Sequence, residues 1–194
     1  MSGAPRIILA STSRYRAQLL RRLLPDVEQQ APDADETPQA NEAPADRAIR
    51  LATAKARAVA RQAPTAIVIG SDQVAALGGT ILRKPGDAAT AHAQLTKSSG
   101  NRVDFFTAVS VIAPGGDEHH ALDTTRVQFR PLDDATIERY VAAEQPLDCA
   151  GSFKCEGLGI SLFERIENED PTALVGLPLI AVARLLRACN ICLP

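Results

Sequence analysis

The residues whose types could carry chemistry are Ser11, Arg16, Glu36, Lys55, Asp72, Lys84 and Lys154, two acids and several cations placed at loops or at the ends of expected elements. Carboxylates and phosphate oxygens are hard ligands for Mg²⁺ or Mn²⁺, and lysine and arginine neutralise phosphate charge. The mixture therefore suits a polyphosphate ester held around a divalent metal cation. Each residue also has a plainer role. Asp72 can cap a turn, Ser11 can cap a helix, Lys55 can snorkel to solvent, and the acids of Asp33-Ala34-Asp35-Glu36 can be solvated loop charge. Which role holds depends on whether the fold brings these groups together.

The elements expected to position them follow from local pattern. Ile67-Val68-Ile69, bounded by Pro64 and Gly70, predicts a short buried strand that delivers Asp72 to its C-terminal edge. In open α/β sheets, ligands collect just beyond such edges. Residues 6–10 form a first strand, and the hydroxyl-rich turn Ser11-Thr12-Ser13 leads into a helix marked by Leu19, Leu20, Leu23 and Leu24. A helix start offers free N–H groups to an anion, so Ser11 and Arg16 could hold phosphate there, the plainer alternative being simple N-capping with a surface arginine. From Pro44 to Arg61 the spacing of Ala48, Leu51, Ala52, Lys55 and Val59 predicts a helix with Lys55 on or beside its apolar face. A hairpin turning at Gly78-Gly79 returns to Lys84-Pro85, where the proline holds Lys84 in extended backbone.

Further along, residues 87–97 read as a helix, and residues 103–112 and 122–129 as an antiparallel pair around Pro114-Gly115-Gly116. Asp133 caps another helix. Residues 149–157 are a glycine-punctuated loop, 160–166 a strand, 171–174 a turn and 178–189 a closing amphipathic helix. The fold class is α/β. A chain of 194 residues, 45% hydrophobic and 23% charged, has the size and composition of one soluble domain spanning residues 1–194.

A net charge of -2 excludes a global basic field for a nucleic acid polymer. Ile7-Ile8-Leu9-Ala10 is too short for a signal-peptide core, and no run reaches the roughly 18 apolar residues of a membrane span, so no membrane partner and a cytoplasmic location are expected. In that compartment Cys149, Cys155, Cys189 and Cys192 do not make a disulfide framework, and Cys189 and Cys192 have no second pair at zinc spacing. His119-His120 read as a solvated strand start and His92 as a surface residue. Neither a Walker-type loop nor a G-x-G-x-x-G run occurs.

Across nearly its whole length the chain resembles the Maf-type nucleotide pyrophosphatases. The resemblance is carried by Leu9-Ala10-Ser11-Thr12-Ser13 with Arg16, Asp35-Glu36-Thr37, Leu51-Ala52 with Lys55-Ala56, Ile69-Gly70-Ser71-Asp72, Lys84-Pro85, Ser99-Gly100, Phe106-Thr107, Gly151-Ser152-Phe153 and Val175-Gly176-Leu177-Pro178. Within the family, Ser71-Asp72-Gln73-Val74 and Ala150-Gly151-Ser152-Phe153-Lys154 with Glu156-Gly157 are similar to the branch that hydrolyses 7-methyl-GTP, rather than to the branches preferring dTTP and UTP. The resemblance implies an elongated two-lobed fold with a central mixed sheet and a cleft between the lobes, a divalent metal, and frequent homodimers. It implies hydrolysis between the α and β phosphates of a modified nucleoside triphosphate. It makes Asp72 the proton acceptor, and Ser11, Arg16, Glu36, Lys55 and Lys84 the phosphate and metal site. Tyr15, Gln73 and Glu156 become the residues of base preference. Arg14 departs from the family's usual proline, and Tyr15 stands where this branch often has tryptophan. Maf-type proteins have also been linked to septum formation and division arrest, so a nucleotide-binding regulator is the alternative from another class.

Overall fold

The structure is a computed structural model that describes residues 5–194. In chain order the strands and helices are β1 (Ile7–Ala10), α1 (Arg14–Leu20), β2 (Glu28–Gln30), α2 (Pro44–Ala60), β3 (Ile67–Leu77), β4 (Thr80–Leu82), α3 (Ala88–Ser98), β5 (Arg102–Ile112), β6 (Glu118–Phe129), α4 (Asp134–Glu144), β7 (Phe163–Glu167) and α5 (Leu179–Ala188). Short 3-10 turns occupy Ala150–Ser152, Leu158–Leu162 and Ala173–Val175. Among the described residues no helix is long and apolar enough to cross a membrane.

Seven strands form one mixed sheet in the order β2-β1-β3-β5-β6-β7, with β4 pairing only to β3. The first strand runs parallel to both β2 and β3, and the remaining pairs are antiparallel. This is the α/β class that the residue pattern predicts, with the central mixed sheet that the family resemblance implies. Most helix caps also fall where the sequence puts them: the Asp87 and Asp133 side chains accept from Thr90 N and Thr136 N.

Three elements differ from expectation. The strand expected at 160–166 begins only at Phe163, because residues 154–159 close on themselves through Gly157 N and Gly159 N, both donating to Lys154 O. The edge strand β2 is polar and only three residues long, so no alternation announces it. Most consequential is β3, which does not stop at Gly70 but continues to Leu77. Glycine and aspartate disfavour strands, yet continuous pairing of Val68–Leu77 with Ile112–Val103 of β5 overrides that local preference.

Apolar burial divides along the sheet. Near β1 and the first half of β3, Leu20 of α1, Val182 and Leu186 of α5, and Leu177 just before α5 pack against Leu9, Ile67 and Ile69 on one face. On the other face α2 covers Ile8, Ala10 and Val68 with Ala56 and Val59. At the opposite end, α3 and α4 bring Leu95, Ile137 and Val141 onto Val103, Phe105 and Phe129. The two cores share β3 and β5, and between them lies a cleft.

Candidate active site

The cleft has a volume of about 620 Å³, within the range of small-molecule sites. Its lining comes from the turn 11–16, Pro32 and Glu36, the inner face of α2, the centre of β3, residues 81–84, the loop 148–156 and the turn 174–176. The floor is a gap in the sheet. Along one edge of β3, β1 ends with Ala10 opposite Gly70, and β4 pairs only from Ala75 onward. Residues 71–74 therefore have a strand partner on the β5 side alone.

Asp72 sits in that gap, mid-strand rather than at the strand end the sequence suggests. What ends there is the neighbouring β1, so the edge at which ligands collect belongs to β1. Side chains alternate along β3. Gly70, Asp72 and Val74 face α2, while Ser71 and Gln73 face the turn at residues 173–176.

On the α2 side, the approach of helix to strand is close enough that a Cβ at Gly70 would lie 2.3 Å from Ala52 O and 2.6 Å from Ala56 N. This glycine is present for contact, not to terminate the strand. The same approach seats Lys55, whose Nζ is 2.6 Å from Asp72 Oδ1 and 3.0 Å from Glu36 Oε1. Lys55 and Asp72 are 7% and 8% exposed, so this lysine does not snorkel to solvent. Glu36 lies on an irregular loop with its side chain 56% exposed.

Ser13, not Ser11, caps α1, accepting from Arg16 N. The buried Ser11 Oγ accepts from Ser13 N at 3.1 Å, which leaves its O–H to donate elsewhere. Arg16 Nε donates to Gly176 O at 2.8 Å; among the described residues its Nη groups have no hydrogen-bond partner. Burial pushes the Arg16 guanidinium's pKa down, and the charges of Asp72 and Glu36 pull it back up. Lys84 is exposed at the rim, in no ion pair with a described residue.

Lys154, expected to bind phosphate, also lines the cleft, with its ammonium engaged at the end of α4. Its Nζ donates to Glu144 O at 3.0 Å and lies 3.8 Å from the Glu144 carboxylate. That ties the ammonium to the C-terminal end of α4, where the helix dipole favours a cation.

The three residues expected to read the base all line the cleft. Tyr15 accepts at its hydroxyl from Arg14 Nη2, and the Arg14 guanidinium carbon lies 4.8 Å from the ring centroid. Gln73 Nε2 donates to Thr107 Oγ1, Ala173 O and Leu174 O, which leaves Oε1 as its unengaged end. Glu156 is exposed, and its Oε2 accepts from Cys155 Sγ at 3.3 Å. Burial pushes the Cys149 and Cys155 thiols up to about 12, helped by the adjacent Asp148 and Glu156 charges.

Sequence reasoning missed Arg47 and Arg83 as lining residues. Arg47 was within reach, since 47, 51 and 55 are spaced by one helical turn each. It also missed the brace behind the site. Asp170 accepts from Thr172 N and Ile180 N, and Ser71 Oγ donates to Gly176 O, so the turn at 173–176 is held on both sides. Nothing local ties Asp170 to Ser71.

Asp72 and Glu36 converge on one cation, and among the described residues no group of three or more His, Cys, Asp and Glu is positioned to hold a metal. Two carboxylates, with phosphate and water oxygens completing the shell, fit Mg²⁺ or Mn²⁺, which seldom take an all-protein cage.

Comparison with solved structures gives the class first. The Ham1 protein of Staphylococcus aureus superposes with a TM-score of 0.55 at 14% identity, over 93% of this chain and 98% of that one. A HAM1 protein from Coxiella burnetii gives 0.51 at 12% identity, over 96% and 99%. The chain thus shares their α/β fold. The family model for Maf-like proteins matches residues 6–189, and the chain belongs to that family. The 7-methyl-GTP pyrophosphatase of Xanthomonas oryzae pv. oryzae is 62% identical over 190 residues, covering 98% of this chain and 100% of its own length. The 7-methyl-GTP pyrophosphatase of Bordetella avium is 54% identical over 187 residues, covering 96% and 94%.

Proposed function

We propose that this chain hydrolyses the α–β phosphoanhydride of 7-methyl-GTP, releasing 7-methyl-GMP and pyrophosphate, and so clears a modified nucleotide. The observation that carries the reading is the convergence of Asp72, Glu36 and Lys55 on the floor of a cleft of nucleotide size, beside an anchored Arg16. The names of its relatives favour the same substrate.

A divalent cation held by Asp72 and Glu36 would supply Lewis-acid polarisation of the phosphate and a more acidic water. Asp72, fixed on the sheet, accepts the proton of the attacking water. Lys55, Arg16 and Lys84 neutralise charge on the transferring group and the departing pyrophosphate, with Ser11 donating its hydroxyl. Lys154, held on α4, shapes the loop that presents Glu156. For the base, Tyr15 offers an aromatic face, Glu156 accepts from the guanine N1–H and exocyclic amine, and Gln73 contributes an acceptor. A pure nucleotide-binding regulator needs the cations but gains nothing from paired carboxylates. A cytoplasmic location and a homodimeric state complete the reading, the second checked by sedimentation.

The test is a panel of 7-methyl-GTP, GTP, dTTP and UTP with Mg²⁺ or Mn²⁺ and a pyrophosphate readout. Highest kcat/KM is expected for 7-methyl-GTP. A preference for dTTP or UTP would move the chain to another branch, and no pyrophosphate from any substrate would leave the regulator. As a second arm, Glu156→Ala should lower kcat/KM for 7-methyl-GTP by about 1.5–3 kcal/mol, the worth of a hydrogen bond to a charged group, with much smaller losses on dTTP and UTP.

A further inference from the structure

Lys55 stands where an ion shared by Asp72 and Glu36 would stand. Its ammonium touches one oxygen of each acid, at 2.6 and 3.0 Å, and is almost buried. The acids differ in freedom, Asp72 being fixed in the sheet and Glu36 carried on an irregular, half-exposed loop. Arg16 lies in the field of the same two carboxylates. Two acids therefore already face two cations. Adding a free divalent ion would leave surplus positive charge on a poorly solvated floor, which is costly. A triphosphate reverses that balance, because its several negative charges can take over Lys55 and Arg16 and free the carboxylates for the ion.

We propose that Lys55 is a resident counter-ion, occupying the ion's position between Asp72 and Glu36 until nucleotide arrives. The ion then enters together with the triphosphate, while the ammonium transfers from carboxylate to phosphate. The inference rests on the pyrophosphatase reading, which assigns these two acids to the ion. It adds that the site has little affinity for metal alone, and that Lys55 is the reason.

The experiment measures Mn²⁺ binding to the full chain, from loss of the free-ion paramagnetic resonance signal, without nucleotide and then with a non-hydrolysable α,β-methylene analogue of 7-methyl-GTP. Wild type should bind Mn²⁺ weakly alone and much more tightly with the analogue. Lys55→Met should tighten nucleotide-free binding by about tenfold or more, the scale of one charge-assisted contact. Lys55→Arg should not, and Lys55→Met with Asp72→Asn should lose the gain. Should Lys55→Met fail to fold, Lys55→Gln takes its place. Tight binding by nucleotide-free wild type overturns the proposal whatever the variants do. Analogue-dependent Mn²⁺ binding with no gain in the neutral Lys55 variants, or a gain that survives Asp72→Asn, removes the counter-ion role and leaves the pyrophosphatase reading standing. Absence of Mn²⁺ binding to every form with the analogue present overturns both.

Discussion

At the scale of single residues, the contrast between Asp72 and Lys84 separates chemistry from charge. Asp72 is buried on the sheet and paired to Lys55, so Asp72→Asn keeps the shape but loses basicity and metal affinity. Turnover should fall to no more than a few per cent, in the range of losing a general base, with nucleotide binding retained in a direct titration. Substantial residual activity would transfer the role to Glu36. Lys84 is exposed and holds nothing else together, so Lys84→Ala should cut kcat/KM by about ten- to a thousandfold at an unchanged melting temperature. A third expectation concerns the thiols beside the cleft. With Cys149 and Cys155 raised to about 12, alkylation at pH 8 should be slow at both and rise about tenfold per pH unit toward that value, while the exposed Cys192 reacts first. Mass mapping of the alkylated peptides at several pH values reads this directly.

Among the elements, the α2–β3 contact decides whether the site exists. Alanines at 48, 52 and 56 and the glycine at 70 let the helix lie close enough for Lys55 to reach Asp72. Gly70→Ala forces a Cβ to 2.3 Å from Ala52 O, a backbone atom that cannot rotate away. The expected cost is about 1–3 kcal/mol or more, as for overpacking, read by urea denaturation with an accompanying fall in kcat. The turn at 173–176 is the second such element, since it holds Gln73, Ser71 and Arg16 through main-chain carbonyls. Asp170→Ala strands the buried Thr172 N and part-buried Ile180 N donors, at about 1–3 kcal/mol for an unsatisfied buried group, and should raise KM by loosening Arg16.

For the molecule as a whole, both cores lean on the same two strands. We therefore propose that residues 1–194 unfold as one domain, with α2-side and α4-side probes giving coincident urea transitions. Separate midpoints on the two sides of the cleft would divide the chain into two units.

Much of this was legible in the chain itself. Apolar period and caps placed α2, α3, α4 and α5, and the β-branched runs placed β1 and β5, because these depend on short-range spacing and on side chains bonding to nearby backbone. The same spacing put Lys55 on the inner face of its helix, and the ordered motifs named the family. What local pattern could not supply was partnership. That β3 runs through Gly70 and Asp72 depends on ten residues of β5 held opposite it, and the gap at 71–74 depends on where β1 stops and β4 starts. Ser13 rather than Ser11 caps α1 by a choice local to residues 11–16, whereas Lys154 turned onto α4 and Lys55 bridging two acids were settled by competition among groups distant in sequence. Such competition is decided by distance and desolvation, and those exist only once the chain has folded.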